Sequence, residues 1–243
     1  MKIAFLTVIA NKVKSYDWAR ISLPLFREHF PDGFLVAIDH NRSEDKHNIL
    51  KLASVVLYTP LTEDQGHGMG MQTGFQWLRK NGFDVMVHIE PDCMYSGTQW
   101  YTNLISALQN GAWLSGLNQN PWGTMQVAGS AWKLDQVQHS FKTRMKLEDA
   151  FCPHHRRLID ERTMGEVLLR NGAPLQFWRF NLYMWDSGLK NWFECASQDK
   201  AVLVDGPDFC HVRGSWGKLP TDIPEEQILF HQLRRKYLGS ATL

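Results

Sequence analysis

No stretch of the chain approaches the ~20 consecutive apolar residues that a helix needs to cross a bilayer. The run from Ile3 to Ala10 behind Lys2 is far shorter, and Asn11, Lys12 and Lys14 follow it where a secretory signal would carry small residues for cleavage. It reads as a buried first strand, and the expected place of work is the cytoplasm. An excess of one charge is also missing. Lys and Arg number 26 against 25 Asp and Glu, a net charge of +1, which excludes the basic footprint of a nucleic-acid binder and a polybasic membrane patch. Cysteine is sparse and scattered: Cys93, Cys152, Cys195 and Cys210 form no C-x-x-C pair, which argues against a zinc site or redox dithiol and for reduced, buried thiols. Internal repeats and low-complexity tracts are absent as well.

What is present is aromatic surface and an alternating pattern. The 243 residues suffice for one sizeable α/β domain, and ten of them are tryptophan, a side chain that fills cores or offers a flat platform to sugars and bases. Strand-like runs at Ile3 to Ile9, Phe34 to Ile38, Ser54 to Tyr58, Phe83 to Ile89 and Ala112 to Leu117 alternate with helical patterns at Trp18 to His29, Met71 to Lys80 and Gln99 to Gln109. That alternation predicts a mostly parallel sheet flanked by helices. Beyond Val127 the pattern weakens, leaving helices near Arg162 to Arg170 and Glu225 to Tyr237 and a strand at Ala201 to Val204. The chain is expected to be a single domain, with halves over 1–117 and 118–243.

Chemistry concentrates where strands end, which is where open α/β sheets bind ligands. The nearly continuous apolar run from Phe83 to Ile89 marks a central strand covered on both faces, and it leads straight into Glu90-Pro91-Asp92. On an extended backbone two residues apart point the same way, so the two carboxylates would form a hard oxygen site suited to Mg²⁺ or Mn²⁺; the alternative is a solvated acidic turn. Asp39 to Asp45 places short polar side chains beyond the second strand, either to hold a nucleoside or to cap loops. The glycines at 66, 68 and 70 lack the Rossmann spacing. His211 is a structural histidine or a metal ligand.

In this order the segments resemble the GT-A glycosyltransferases, in particular the large family-2-like group. Asp39 to Asp45 resembles that group's D-x-x-S-x-D nucleoside segment with one residue inserted before Ser43, and Gly66 to Trp77 resembles the glycine-bearing lead into the next helix. Glu90-Pro91-Asp92 stands in the place of the D-x-D motif. Val127 to Trp132 is similar to the strand lining the acceptor side, and His211 with Gly214-Ser215 to the late H-x-x-G-S segment. The family's Glu-Asp pair has two counterparts: Asp160-Glu161, in reversed order but followed by a helix and Arg170-Asn171-Gly172, and a literal Glu148-Asp149 upstream. The helix favours the first.

The resemblance implies a nucleotide-sugar donor, with a UDP-sugar as the family's usual choice, and a saccharide or other hydroxyl acceptor. It implies donor contacts at Thr7, Val8, Asp39, Asn41, Gly68, Gly70, Gln72 and Glu90, and Mn²⁺ or Mg²⁺ on Asp92, Glu90 and His211. An inverting transfer would need a carboxylate base, for which Glu161 comes first, Asp149 second, and Asp160 belongs to the same pair. Two other readings stand beside it. A nucleotidyltransferase would use a similar scaffold but would carry glycine in the loop after the first strand, where Asn11-Lys12-Val13-Lys14 has none. A non-catalytic sugar or nucleotide binder would tolerate the Glu for Asp exchange at position 90.

Overall fold

The computed structural model describes residues 1–9, 13–40, 48–59, 67–95, 97–119, 124–140, 175–178, 181–184, 202–206 and 209–213. β1 (Ile3–Ile9) is the strand around which the rest is arranged. It pairs in parallel with β2 (Leu35–Asp39) on one side and β4 (Val85–His88) on the other. β3 (Val55–Tyr58) adds in parallel beyond β2. On the far side of β4, β7 (Thr124–Lys133) runs antiparallel between β4 and β6 (Leu114–Gln119), and β8 (Leu175–Trp178) pairs in parallel with β6. The seven-stranded order is β3-β2-β1-β4-β7-β6-β8. Four of its six pairings are parallel, so the mostly parallel α/β sheet expected from the sequence is what forms.

Helices cover both faces. α1 (Val13–His29) and α3 (Gln99–Gln109) pack on one, through Ala19, Leu23 and Phe26 and through Trp100, Leu104 and Leu108, against Phe5, Leu35, Ala37, Val85 and Val87. α2 (His67–Lys80) and α4 (Leu134–Ser140) cover the other, where Met71, Phe75, Leu78 and Val137 meet Leu6, Val36, Met86 and Trp132. Alternation along β1 and β4 sends successive side chains into the two cores, and a fully buried Leu or Phe of this kind contributes roughly 1.5–3 kcal/mol.

A second sheet of order β5-β11-β10-β9 is antiparallel throughout. It comprises β5 (Cys93–Tyr95), β9 (Asn181–Met184), β10 (Val202–Gly206) and β11 (Phe209–Arg213). Tyr95 pins it to the first unit, with its ring 5.9 Å from that of Phe26 on α1 and 5.3 Å from that of Trp100 on α3.

Several boundaries differ from the sequence reading, each for a physical reason. α1 begins at Val13 rather than Trp18 and runs through Pro24. That proline lies on the exposed side of the helix, where water can serve the backbone carbonyl that its missing N–H leaves free. α2 begins at His67, so Gly68 and Gly70 are inside the helix instead of in a loop before it. Asp39 is the last residue of β2 and fully buried, not the first residue of a polar loop. His211 lies within β11 rather than in a loop after a strand. The expected helices near Arg162 to Arg170 and Glu225 to Tyr237 lie outside the described residues. Among the described residues, no helix is long and apolar enough to cross a membrane.

Arg27 ties the end of α1 to the segments on either side of β2. Its guanidinium donates to the carbonyl oxygens of Leu52 (2.8 Å from Nε), Phe30 (3.1 Å), Pro31 (3.3 Å) and Gly33 (2.7 Å). Burial lowers its pKa from the ordinary guanidinium value.

α2 lies so close on β1 that two helix positions must lack a side chain. A Cβ on Gly74 would stand 2.7 Å from Leu6 Cδ2 and nearer still to Cδ1. Leu6 is fully buried, so a shift of its methyl groups would have to be absorbed by the core around it. Gly74→Ala is therefore expected to destabilise the protein by about 1–3 kcal/mol, the usual cost of overpacking, even though alanine is the better helix former. Urea unfolding checks this, and a neutral or stabilising change would show that the helix can lift without cost.

Candidate functional site

The carboxyl ends of β1, β2 and β4 lie along one edge of the sheet. Asp39 pairs with Ile9 on one side and Tyr58 on the other. Across β1, His88 pairs with Leu6 and the Ile89 N–H donates to the Leu6 carbonyl at 2.9 Å. The acidic segment after β4 therefore emerges on the same edge as Asp39, with the end of β1 between them.

Glu90-Pro91-Asp92 is not extended. The Cys93 N–H donates to the Glu90 carbonyl at 3.1 Å, closing a four-residue turn with proline at its second position, the place where a fixed φ suits it best. Glu90 and Asp92 therefore do not stand on a straight strand, and alternation does not align their carboxylates. The solvated acidic turn is equally not what forms, since Asp92 is only 7% exposed and Glu90 is half-buried. The turn carries the chain out of the first sheet and into the second.

β5 then pairs with β11, and the register sets His211 directly opposite Cys93, one residue from Asp92. The two segments are more than a hundred residues apart in the chain, and the fold brings their backbones together. For His211 the structure describes the backbone. Among the described residues, no three His, Cys, Asp or Glu side chains gather as a metal-binding group.

Of the other candidate residues, Thr7 lies on the face of β1 that α1 covers. Its Oγ1 is buried with no hydrogen-bond partner among the described residues, as is Ser22 Oγ on α1. Val8 and Gly70 face each other. A Cβ on Gly70 would overlap the Val8 side chain and lie 2.7 Å from His40 Nε2, so the missing side chain at 70 lets the helix seat on the strand. Gly68 is buried in the first turn of α2, and Gln72 is half-buried in its second. Asn41, Asp149, Asp160 and Glu161 lie outside the described residues.

The structure also adds residues that the sequence reading passed over. His40 is buried on the face opposite to Asp39, its Nδ1 sharing a hydrogen bond with Thr59 Oγ1. His88, fully buried at the end of β4, stands opposite Ser130 of β7, whose Oγ accepts from Trp132 Nε1 at 2.6 Å. Gly129, just before it, has φ 66°, the left-handed region that glycine adopts without strain. Tyr95 is the third addition. Its phenol is held well above the ordinary 10.0, first by burial, then by the neighbouring Cys93 thiol, and further by the charges of Asp92 and Glu90. A polar residue two places after the acidic turn, on a strand, was the available signal.

No protein-family model matches the chain, and a sequence comparison with curated proteins finds no match. Solved structures do share its architecture. A protein provisionally named a nucleotide-diphospho-sugar transferase, from Desulfovibrio desulfuricans, aligns over 98% of this chain and 99% of its own, with a TM-score of 0.51 and 12% identity. The fold is of the GT-A type. A mannosyltransferase from Pyrobaculum calidifontis, solved with GDP-Man and Mn²⁺, matches 73% of this chain and 55% of its own at a TM-score of 0.52 and 11% identity. The 4-diphosphocytidyl-2C-methyl-D-erythritol synthase from Anaerococcus prevotii matches 73% and 86% at 0.51 and 8%. At such identities it is the fold that is shared.

The raised Tyr95 pKa has a consequence for stability. A phenol held protonated in the folded state contributes stability that is whole below the unfolded value near 10.0 and is lost as pH rises through the folded value. Tyr95→Phe should therefore lose less stability than the parent between about pH 9 and about pH 11 in urea unfolding. Equal losses in the two proteins would show that the phenol is not held protonated.

Proposed function

We propose that the chain is a metal-dependent glycosyltransferase that moves a sugar from a nucleoside-diphosphate sugar to a hydroxyl acceptor. The observation that carries this reading is the buried Asp92, on a proline turn at the carboxyl end of the central strand β4, beside the strand pair that brings in His211 and on the edge that holds Asp39. The GT-A fold shared with a mannosyltransferase that holds GDP-Man and Mn²⁺ supports it. Carboxylate oxygens are the donors that Mg²⁺ and Mn²⁺ prefer, and such ions complete their shell with substrate phosphates, so the Asp92 carboxylate is a donor of the kind they take.

Asp92 would hold the ion directly, with Glu90 and His211 flanking it. Bound there, it would offset the charge that develops on the departing diphosphate. Asp39 would accept a hydrogen bond from the base, for which uracil is the expected choice, and Asn41, Gly68 and Gln72 would line the donor from the same edge, with Thr7 buried behind it on the α1 side. Val8 and Gly70 would serve by seating α2 beneath it. In this reading residues 1–117 carry the donor and 118–243 the acceptor side. Glu161, or else Asp149, would take the proton from the attacking hydroxyl in an inverting transfer, with Asp160 orienting its neighbour.

Nucleotidyl transfer is the second reading, favoured by the fold shared with a synthase of a diphosphocytidyl product. Incubation with nucleotide sugars, nucleoside triphosphates and Mn²⁺ separates the two: release of free nucleoside diphosphate supports the first and pyrophosphate the second. Release of neither would leave a non-catalytic binder.

Chelation is expected to abolish activity and Mn²⁺ or Mg²⁺ to restore it, with Asp92→Ala the most damaging single change. Losing several kcal/mol of transition-state stabilisation corresponds to a fall in rate of about a hundredfold or more. Full activity in a chelator, or in Asp92→Ala, would remove the main support of the reading.

Glu161→Gln should leave donor binding intact and lower transfer by roughly 10² to 10⁴, the share of a general base. Normal transfer in that variant together with loss in Asp149→Asn would move the base to the upstream acidic pair.

A further inference from the structure

His40 joins four elements at one point. Its backbone N–H donates to the Ile9 carbonyl at 3.2 Å, at the end of β1. The Thr59 N–H, just after β3, donates to the Asp39 carbonyl at 3.4 Å, and the Thr59 hydroxyl shares a hydrogen bond with His40 Nδ1. The far side of the imidazole meets α2: Nε2 lies 2.7 Å from where a Cβ on Gly70 would be. Both His40 and Thr59 are buried, at 4% and 8% exposure. A ring fixed at one nitrogen and pressed at the other against a helix turn that has no side chain there acts as a floor for that turn.

The neighbouring residue gives this floor a wider reach. Asp39, the last residue of β2, follows Leu35 and Ala37 towards the α1 side by strand alternation, while His40, just past the strand, has its Nε2 against Gly70 on the α2 side. Whatever holds His40 also holds the backbone that aims Asp39. The first turn of α2 presents N–H groups that have no intrahelical acceptor, and such a turn is suited to an anion.

We propose that His40, clamped by Thr59, is a positioning residue that fixes the first turn of α2 at the carboxyl edge and so sets the affinity for a nucleoside diphosphate. The positional part stands on the packing alone, and the ligand part rests on the function proposed above. The pair acts on the ground state of the site and not on the reacting atoms.

Thr59→Val keeps the shape of the side chain and removes the hydroxyl, while Thr59→Ser keeps the hydroxyl. Two measurements on the full chain decide the matter. In amide hydrogen exchange, Thr59→Val should speed exchange at residues 71–74, whose N–H groups close the first turn of α2 on the carbonyls of 67–70, by about tenfold relative to α3, a local change of the kind that sub-global opening produces, and Thr59→Ser should restore it. In calorimetric titration with UDP, GDP and CDP in Mn²⁺, whichever of these the parent binds should bind Thr59→Val about tenfold more weakly and Thr59→Ser normally. With turnover in hand, the donor KM should rise while kcat at saturation stays within about twofold. Exchange unchanged in the first turn of α2, or accelerated equally in α3, overturns the positional role. Faster local exchange with an unchanged nucleotide affinity overturns the link to the ligand. A parent that binds none of the three nucleotides overturns that link and the proposed function together, while the exchange result still decides the positional role.

Discussion

The architecture turns on how closely a helix can approach the central strand. β1 has a strand on each side and a helix layer on each face, and on the α2 face the approach is limited by atoms rather than by side-chain choice: Gly70 sits on Val8 and His40, Gly74 on Leu6. Dense packing of this kind leaves no slack for volume changes. It also fixes where the first turn of α2 falls relative to the ends of β1 and β2, so the geometry of the candidate site follows from a packing constraint in the core.

A second dependence runs through the turn after β4. Glu90 and Asp92 sit where the chain leaves a mostly parallel sheet for an antiparallel one, and Tyr95 anchors the departing strand between Phe26 and Trp100. A buried carboxylate costs stability unless something compensates its charge. In this molecule Asp92 stands at a junction held by the pairing of β5 with β11, where the chain passes from one sheet to the other.

Much of this was legible in the sequence, and the failures have identifiable causes. β1 to β4 and α3 are short, strongly patterned segments, and their periodicities placed them within about two residues of where they lie. α2 was cut short because Gly68 and Gly70 read as loop, since glycine costs a helix about 1 kcal/mol per residue; close packing on β1 overrides that penalty. Asp39 reads as loop because acidic residues are rare in a buried strand, and here the strand's last position is a buried aspartate. His211 and Asp92 were linked only through family resemblance, because a pairing across more than a hundred residues leaves no local trace. His40 and Tyr95 carried no motif at all; their importance comes from what they touch.

The Arg27 clamp bears on the order in which the chain acquires its structure. All of the carbonyl groups it binds lie between residues 30 and 52, so α1, β2 and the turn before β3 can close on one another once the first quarter of the chain is made. β5 has no such early companion: its neighbour β11 begins at Phe209. Synthesis from the amino terminus, at ~5–20 residues per second, delivers β11 several seconds after β5, so the backbone groups of Cys93 to Tyr95 that bind β11 have no strand partner until then. A strand that short presents little edge to a wrong partner, and three residues are all that β5 has.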